Sequence, residues 1–429
     1  KNGTITVTMG TQSAAWTIKC VEYGNPVLDG FYADPNIALF GDTFYIYPTT
    51  DGGVGWDSRS FKTFSSKDLV NWTEHDVILD LADVPWSKGK CGWAPTIIER
   101  NGKYYYYFSA ENRDNTAKSL GVAVADSPTG PFIAEETPIA PSGTKPGQMI
   151  DPAVFIDDDG QAYLYWGNGG YYAAKLSDDM LNIEGDIETI TPTNFREASF
   201  VIKRNGTYYF MWSDNDTGEP TYEVHYGTSD SPMGPIKGDT TILSYESADE
   251  GTNIKATGHH SVVNIPGTDE WYICYHRFNI PRYGNVTAKN SEAGNHREVC
   301  IDKMEFNADG SIKPVKPTLE GITEPVTVQE TELSAKCDMS TLWNDGNIEY
   351  KAFVSNATSE YDLYIAIYDE NGVLVKVFKN EPTGSFEAED GVYTVKAMVW
   401  EKNGMKPLCD TVEKTVLSDA PKIDISEDN

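Results

Sequence analysis

Positive charge is scarce in this sequence. Its 429 residues include 65 acidic residues against 34 lysines and arginines, so that the formal net charge at pH 7 is -31. A surface with this excess of negative charge repels the phosphate backbone of nucleic acids and anionic membranes. We therefore expect neither nucleic acid nor a membrane among the partners.

Long apolar runs are missing as well. No segment approaches the roughly 18 consecutive apolar residues that indicate a membrane-spanning helix. The chain opens at Lys1 without the apolar region of a signal peptide. We expect a mature form or a fragment that is soluble.

Cysteine is rare, with six residues in the chain. The six are far apart and include no C-x-x-C pair, a spacing that favours isolated buried thiols over a metal knuckle or a redox pair. They leave the cellular compartment undecided. These residues are Cys20, Cys91, Cys274, Cys300, Cys337 and Cys409.

Aromatic residues, by contrast, are plentiful. They form 12% of the chain, and 25 tyrosines outnumber 16 phenylalanines. Rings with a polar tip make surfaces that are both apolar and hydrogen-bonding, which suits sugars. The length of the chain predicts a large domain and a smaller one.

One pattern recurs five times along the chain. Each copy has a polar or proline-containing start, a short apolar strand, a turn with Gly, Asp or Asn, and an aromatic strand. The turn residues between β-branched and aromatic runs predict a β-hairpin in each copy. The copies are A-D-P-N-I-A-L-F-G-D-T-F-Y-I-Y from Ala33, W-A-P-T-I-I-E-R-N-G-K-Y-Y-Y-Y from Trp93, D-P-A-V-F-I-D-D-D-G-Q-A-Y-L-Y from Asp151, E-A-S-F-V-I-K-R-N-G-T-Y-Y-F-M-W from Glu197 and G-H-H-S-V-V-N-I-P-G-T-D-E-W-Y-I-C-Y from Gly258.

The repeat predicts an all-β fold, a five-bladed β-propeller over residues 23–322. A β-sandwich also has many short strands, but it does not explain why one position of successive copies carries an unusual polar residue. In a propeller the innermost strands all start at one end of the central channel, so that these positions converge.

Two regions lie outside the repeat. Residues 325–420 restart with alternating strands and an E-N-G turn, which predicts a small immunoglobulin-like β-sandwich. Residues 1–22 contain two predicted strands, which we interpret as an edge of the propeller or the remnant of an upstream domain.

Three carboxylates are assigned to the converging position. Asp34 and Asp151 occupy it in the first and third copies, and Glu197 is placed there in the fourth. A lone Asp before Pro is usually a turn former, but carboxylates that converge repel one another, a cost that proteins accept mainly at functional sites. Glycoside hydrolysis uses one protonated and one ionised carboxyl group. The charge of Asp151 would help to keep Glu197 protonated.

These motifs resemble a known family. The runs F-Y-A-D-P-N-I, W-A-P-T-I, I-D-P-A-V-F-I-D-D-D-G, R-E-A-S-F-V-I-K-R-N-G-T-Y-Y and G-H-H-S-V-V resemble glycoside hydrolase family 43, whose five-bladed propellers invert the anomeric centre. The resemblance implies that Asp34 is the general base, Asp151 the pKa modulator and orienting residue, and Glu197 the general acid. Ala198 and Ser199 stand where members often have Gly-Pro, a change that we expect to affect pocket shape rather than chemistry.

The resemblance also implies a calcium ion. Matching G-H-H-S to the more usual G-H-G-S places His259 beside a structural calcium ion or water cluster on the propeller axis. Calcium prefers oxygen ligands, so waters would hold it and His259 would contribute at most one bond. A buried histidine that only forms hydrogen bonds is the alternative. We expect the D-D-D-G segment at 157–160 to be an exposed hairpin turn, because it lacks the glutamate of an EF-hand loop.

Three further residues are candidates for substrate binding. The resemblance implies that Trp93 is a wall against which a sugar ring lies, and Phe31 is a candidate for a second wall. Arg297, in H-R-E-V-C-I-D, resembles a family arginine that reaches a sugar hydroxyl. Blade packing for Trp93 and a plain salt bridge for Arg297 are the alternatives.

The leading interpretation is an exo-acting, inverting glycosidase, secreted or at the surface of a bacterial cell. It would release terminal α-L-arabinofuranosyl or β-D-xylosyl units from plant cell-wall polysaccharide or oligosaccharide; the oligomeric state stays open. One alternative is a retaining fructosidase, which shares A-D-P-N but usually has Arg-Asp-Pro and Glu-Cys where this chain has Ile150-Asp151-Pro152 and Glu197-Ala198. The others are an endo-arabinanase with an open groove and a non-catalytic sugar-binding propeller.

Overall fold

The computed structural model describes residues 2–9, 12–19, 24–280, 295–328, 335–355, 357, 360–402, 407–409 and 411–418. The chain divides into two compact units, residues 1–328 and 329–429. The sequence pattern placed the start of the second domain at 325. In the structure Val326 packs into the core of the first unit, and its N–H donates to Asp68 O over 3.0 Å.

The regular structure of the described residues is almost entirely β-strand, as predicted. Short 3-10 helices lie at Leu81–Asp83 and Tyr245–Ser247, and no helix in the described ranges is long and apolar enough to cross a membrane. The two strands predicted at the N-terminus, β1 (Asn2–Met9) and β2 (Gln12–Lys19), pair antiparallel.

Five antiparallel sheets follow in chain order, and each begins with one copy of the repeat. The first four have four strands paired in chain order, and the fifth has three among the described residues. The strands are β3 (Tyr32–Phe40), β4 (Thr43–Thr50), β5 (Ser60–Ser66) and β6 (Thr73–Asp80); β7 (Trp93–Arg100), β8 (Lys103–Glu111), β9 (Lys118–Ala125) and β10 (Ile133–Ala134); β11 (Ala153–Ile156), β12 (Ala162–Trp166), β13 (Tyr172–Leu176) and β14 (Ile183–Thr189); β15 (Glu197–Arg204), β16 (Thr207–Asp214), β17 (Glu223–Ser229) and β18 (Lys237–Leu243); and β19 (Gly258–Asn264), β20 (Trp271–Phe278) and β21 (Arg297–Met304).

The five sheets form a closed ring. The first strand of each sheet contacts the first strand of the next, and β19 contacts β3. Hydrophobic clusters fill the spaces between neighbouring sheets, with Tyr47, Phe61 and Phe108 between the first and second and Phe44 and Ile301 between the first and last. Each fully buried side chain of this size stabilises the fold by about 1.5–3 kcal/mol. The arrangement fits a β-propeller.

Hydrogen bonds of the backbone and of one side chain also tie the start of the ring to its end. The Val27 N–H donates to Val299 O over 2.9 Å, and the side chain of Asn25 donates to Ile301 O and accepts from Ile301 N. The last sheet is thereby fixed to the segment that leads into the first.

The first strands share a backbone irregularity near their start. The pairing register shifts within β3, β7, β15 and β19. A bulge of this kind re-aims the side chain, and a non-glycine residue in the left-handed region costs about 1–3 kcal/mol. Positive φ angles from 43° to 62° occur at Asp34, Ala94, Asp151, Ala198 and His259.

The positions of these positive φ angles correct the prediction that Glu197 occupies the same position as Asp34 and Asp151. The fourth sheet has Ala198 at the irregular position, so that Glu197 lies one residue earlier than Asp34 and Asp151 do in their sheets. The assignment of Glu197 to the same position is therefore wrong by one residue. By strand pairing, Glu197 is equivalent to Ala33, Trp93 and Gly258 of the other sheets.

The second unit contains two antiparallel sheets among its described residues. Both sheets contribute to one hydrophobic cluster that includes Ile348, Ile365 and Val399. One sheet consists of β22 (Lys336–Asn344), β23 (Asn347–Ser355) and β26 (Thr383–Glu387), and the other of β25 (Leu374–Lys379), β24 (Tyr361–Tyr368), β27 (Val392–Glu401) and β28 (Val412–Leu417).

The sequence also predicted buried cysteine thiols and an exposed turn at residues 157–160. Three thiols are buried, those of Cys274, Cys300 and Cys409, whereas Cys91 and Cys337 are partly exposed. Cys20 lies outside the described residues. The D-D-D-G segment is the turn between β11 and β12, with its last three residues exposed, as predicted.

Candidate active site

A cavity of about 380 Å³ lies where the first strands begin. Six of the seven site residues singled out in the sequence line it: Asp34, Trp93, Asp151, Glu197, His259 and Arg297. Phe31 is absent from this lining. Its ring packs edge-on against His296, with 4.9 Å between ring centroids, so the structure does not bring this predicted wall into the cavity.

Asp34 is a buried carboxylate with a charged partner. Nη1 of Arg297 donates to Asp34 Oδ1 over 2.8 Å, and Nδ1 of His259 lies 3.2 Å from the same oxygen. Burial by itself raises a carboxyl pKa, but Arg297, assisted by His259 and His276, holds the pKa of Asp34 below its ordinary value. Asp34 is therefore ionised at neutral pH.

Arg297 bridges two carboxylates. Besides its bond to Asp34, it donates from Nε to Asp51 Oδ2 over 3.0 Å, and its backbone N–H donates to the same oxygen over 2.9 Å. Burial would lower the pKa of Arg297, but the charges of Asp34 and Asp51 raise it. The salt bridge considered as the alternative is present, and contact with a sugar stays a prediction that its place in the cavity wall supports.

Glu197 has the opposite electrostatic environment. Its Oε2 accepts from Asn168 Nδ2 over 2.6 Å, and its Oε1 accepts from the Tyr222 hydroxyl over 3.0 Å. Burial raises the pKa of Glu197 to about 7, against the lowering effects of Arg196 and Tyr222. A large fraction of Glu197 is therefore protonated at neutral pH.

Asp151 connects to Glu197 through the backbone. Its Oδ2 accepts a hydrogen bond from the Ala198 N–H over 2.9 Å. Burial, followed by the charges of Glu197 and Asp34, raises the pKa of Asp151. Because two neighbouring buried carboxyl groups resist joint ionisation, Asp151 and Glu197 retain a proton between them near neutral pH.

The three carboxyl groups therefore divide into an ionised one, Asp34, and a pair that retains a proton, Asp151 and Glu197. An ionised carboxylate can accept a proton from water, and a protonated carboxyl group can donate one to a leaving oxygen. Pairs of titratable groups with pKa values pushed apart identify the acid and the base of an active site. Asp34 has the state of a general base, and Glu197 that of a general acid.

Two tryptophans form an aromatic wall of the cavity. Trp93 Nε1 donates to Trp56 O over 2.8 Å, and Lys118 Nζ lies 5.1 Å from the Trp93 ring centroid. The Trp56 ring lies 5.3 Å from the guanidinium carbon of Arg297. Trp93 thus lines the cavity, its contact with a sugar ring stays a prediction, and Trp56 rather than Phe31 is the second aromatic residue of the lining.

Two adjacent histidines begin the fifth sheet. Burial lowers the pKa of His259 to about 4 and that of His260 to about 3, so both imidazoles are neutral at neutral pH. Both ring nitrogens of His260 are buried and have no hydrogen-bond partner among the described residues. Neutral imidazole nitrogens are the form that binds metal ions or water.

Sequence reasoning missed several residues that complete the site. Asp51 and Trp56 belong to the run D-G-G-V-G-W-D at 51–57, whose glycines are a detectable sign of a special loop. Tyr222 lies outside the repeated motifs, but Gly258 of the fifth copy makes room for it: a Cβ at Gly258 would lie 2.3 Å from the Tyr222 ring. No sequence pattern marks the others, which are Asn168, Thr217 and His276.

The sequence model of the protein family described as glycosyl hydrolases family 43 matches residues 23–312 of this chain. The chain belongs to glycoside hydrolase family 43. It is therefore a glycosidase, and the fructosidase and non-catalytic alternatives are not supported. The family resemblance inferred from the five motifs is confirmed.

Known relatives of this family 43 enzyme have several specificities. The β-D-galactofuranosidase of Aspergillus niger is 37% identical over 72% of this chain and 89% of that protein. A xylosidase/arabinosidase of Bacteroides ovatus is 29% identical over a region that covers 68% of this chain and 96% of that protein. One similar solved structure is the crystal structure of a β-xylosidase/α-arabinofuranosidase from a compost microbial metagenome, in complex with xylotriose and in a calcium-free form. Its TM-score is 0.57 and its sequence identity is 31%. The match covers 69% of this chain and 98% of that chain.

Proposed function

We propose that this family 43 enzyme is an inverting glycosidase that releases terminal α-L-arabinofuranosyl or β-D-xylosyl units from plant cell-wall polysaccharide or oligosaccharide. The observation that carries the proposal is the divided ionisation in one cavity, with Asp34 kept ionised by Arg297 and Glu197 kept protonated by burial. The relatives named as xylosidase/arabinosidase support this choice of sugars.

In the proposed reaction a single displacement occurs at the anomeric carbon. Asp34 accepts a proton from water as the water oxygen attacks, and Glu197 donates its proton to the departing oxygen. Asp151 orients the Glu197 segment through the Ala198 N–H. Each proton transfer contributes typically about 10² to 10⁴-fold to the rate.

A second candidate substrate class is the β-D-galactofuranosides. The Aspergillus niger relative with 37% identity is named for this activity. The β-D-galactofuranosyl and α-L-arabinofuranosyl rings have the same ring configuration and differ by one hydroxymethyl group in the exocyclic chain. One set of contacts to the ring hydroxyls therefore serves both, and the space beyond the ring decides between them.

The finer architecture is also a proposal. We propose that the five sheets are the blades of a five-bladed propeller, supported by the contact between β19 and β3 that closes the ring. We propose that the second unit is an immunoglobulin-like sandwich, supported by its two antiparallel sheets around one hydrophobic cluster. An experimental structure that gives another blade number or strand order would contradict this.

We propose further that a calcium ion with a shell of waters binds beside His259. A neutral imidazole next to the anionic Asp34 fits a hydrated cation, and His259 would supply at most one bond. Among the described residues, the three-residue group with metal-ligand spacing is a different one, Asp214, Glu223 and His225. The ion would stabilise the ring. Its removal with EDTA should lower the melting temperature of the wild type, and His259→Ala, which removes one bond to the ion, should make that shift smaller at a limiting calcium concentration.

A panel of nitrophenyl glycosides tests the proposed specificity. The α-L-arabinofuranoside, β-D-xyloside and β-D-galactofuranoside should be compared with linear arabinan, and the first anomer released should be identified by proton NMR. Release of the inverted anomer from the α-L-arabinofuranoside or the β-D-xyloside supports the proposal. Chain-internal cleavage of arabinan would favour the endo-arabinanase instead. We also propose a secreted or cell-surface location, which fractionation of the cells that produce the protein would test.

A further inference from the structure

The fourth sheet carries a cluster of one histidine and two carboxylates that do not line the cavity. Asp214 is the last residue of β16, and Glu223, the first residue of β17, is paired with it. His225 follows two positions later on β17, so its side chain lies on the same face of the sheet as that of Glu223. One ligand atom from each of the three residues lies within 4.8 Å of the other two.

Both ring nitrogens of His225 face carboxylates, and its side chain is only 7% exposed. Nδ1 lies 2.6 Å from Asp239 Oδ1, and Nε2 lies 3.0 Å from Glu223 Oε1 and 4.0 Å from Asp214 Oδ2. A neutral imidazole has one hydrogen, so one of its nitrogens must face a carboxylate with no hydrogen between them. Thr241 Oγ1 lies 3.3 Å from Nε2, but its single hydrogen is shared with Glu223. This histidine therefore needs a further cation, which is either a proton or a metal ion.

The charges of the cluster favour a metal ion over a proton. Asp214, Glu223 and Asp239 have His225 as their ion-pair partner, and none of them forms a salt bridge with a lysine or arginine in the described part of the chain. A proton on His225 would offset one of these three carboxylates, whereas a divalent ion would offset two. Burial by itself lowers the pKa of His225, but hydrogen bonds with Glu223 and Asp239 raise it. A proton is therefore the competitor of the metal ion.

The surroundings of His225 fix the orientation of its ring. The distance of 2.6 Å between Nδ1 and Asp239 Oδ1 requires a hydrogen between these atoms. Asp239 is itself held by Asn194, whose Nδ2 donates to Asp239 Oδ2 over 2.9 Å, and Trp212 stacks on the imidazole with 6.1 Å between ring centroids. The lone pair of Nε2 then points to the other two carboxylates. A carboxylate behind a histidine is the usual outer contact of a metal-binding imidazole.

We propose that Asp214, Glu223 and His225 bind a divalent transition-metal ion, with zinc as the best match. One imidazole nitrogen with carboxylate oxygens is a ligand set that zinc accepts, whereas calcium and magnesium prefer oxygen ligands alone. The side chains of Asp214 and Glu223 are 37% and 25% exposed, so that water can complete the coordination. The ion would join the last residue of β16 to the first residue of β17 and hold the two ends of the loop between them. This site is separate from the calcium site proposed beside His259, and it does not depend on which sugar the enzyme accepts.

Calorimetry with Zn²⁺ alone as the added ligand tests the site. The full chain is freed of metal with EDTA, dialysed, and titrated at mildly alkaline pH with excess calcium present to fill the site proposed beside His259. We expect His225→Ala to weaken zinc binding by at least about 100-fold and Asp239→Asn, which alters the outer contact, by about 10- to 100-fold. His75→Ala is the matched control, because His75 lies on β6 and belongs to no such cluster among the described residues. It should leave the affinity unchanged.

Melting temperatures give a second readout. Zn²⁺ should raise the melting temperature of the wild type but not that of His225→Ala, and the values without zinc control for folding. Asp214→Asn, which alters a partly exposed side chain, replaces His225→Ala if the alanine variant does not fold. The proposal is overturned if the wild type does not bind Zn²⁺, or if it binds no more tightly than His225→Ala. A proton on His225 would then bridge Glu223 and Asp239. A failure of the proposed glycosidase function would not change any of these measurements.

Discussion

The N–H of Ala198 donates to Oδ2 of Asp151 over 2.9 Å. This bond fixes the backbone directly after Glu197, where Ala198 has a φ of 62°. The bond supports the proposed orienting role of Asp151, and the charge of Glu197 raises the pKa of Asp151 in turn.

Two substitutions separate these effects. Asp151→Asn removes the charge but keeps an oxygen that can accept from Ala198, whereas Asp151→Ala removes both. We expect both variants to lose activity and the alanine variant to lose about 10-fold more in kcat, the loss expected for one hydrogen bond. Equal losses would show that the hydrogen bond to Ala198 does not contribute.

Asp34→Asn should reduce kcat by at least about 100-fold, because the amide keeps the shape of the side chain but cannot accept a proton from water. Binding of the product sugar, measured by calorimetry, should stay within a few-fold of wild type. Substantial residual turnover would remove Asp34 from the role of general base.

Glu197→Ala should give a defect that depends on the leaving group. Natural oligosaccharides need protonation of the departing oxygen and should slow by about 10² to 10⁴-fold, whereas activated nitrophenyl glycosides should slow much less. Rates on both substrate types check this. Equal losses on both would mean that Glu197 is not the acid.

The pH profile of kcat/KM should fall on its basic side near pH 7. Glu197 is active when protonated, and burial raises its pKa to about 7, so activity declines as the pH rises through this value. Tyr222 lowers the pKa of Glu197 by donating to the ionised form. Tyr222→Phe should therefore move the basic limb to higher pH, while an unchanged limb would assign that limb to another group.

A chain that ends at Val328 should stay folded and active on small aryl glycosides, because every residue of the cavity lies before this point. A chain that ends at 322 should have a lower melting temperature, since it lacks Val326 and Val328, which pack into the cluster between the first and last sheets. Loss of activity in the longer form would show that the second unit contributes to the site.

The sequence by itself determined the five hairpins and the identity of the three carboxyl groups. Turn residues act locally, and a repeated local pattern places equivalent residues at equivalent points of successive sheets. The amino-acid pattern alone therefore assigns Asp34 and Asp151 to one end of the ring, and it assigns Glu197 to a position that is wrong by one residue. The tertiary structure decided the exact place of Glu197, one residue before the bulge at Ala198.

Only the tertiary structure also decided the protonation states. Arg297 is 263 residues from Asp34 in the chain, and Tyr222 is 25 residues from Glu197. A pKa depends on burial and on charges within a few ångströms, which no local pattern contains. Closure of the ring brings these residues together, which lowers the pKa of Asp34 and raises that of Glu197.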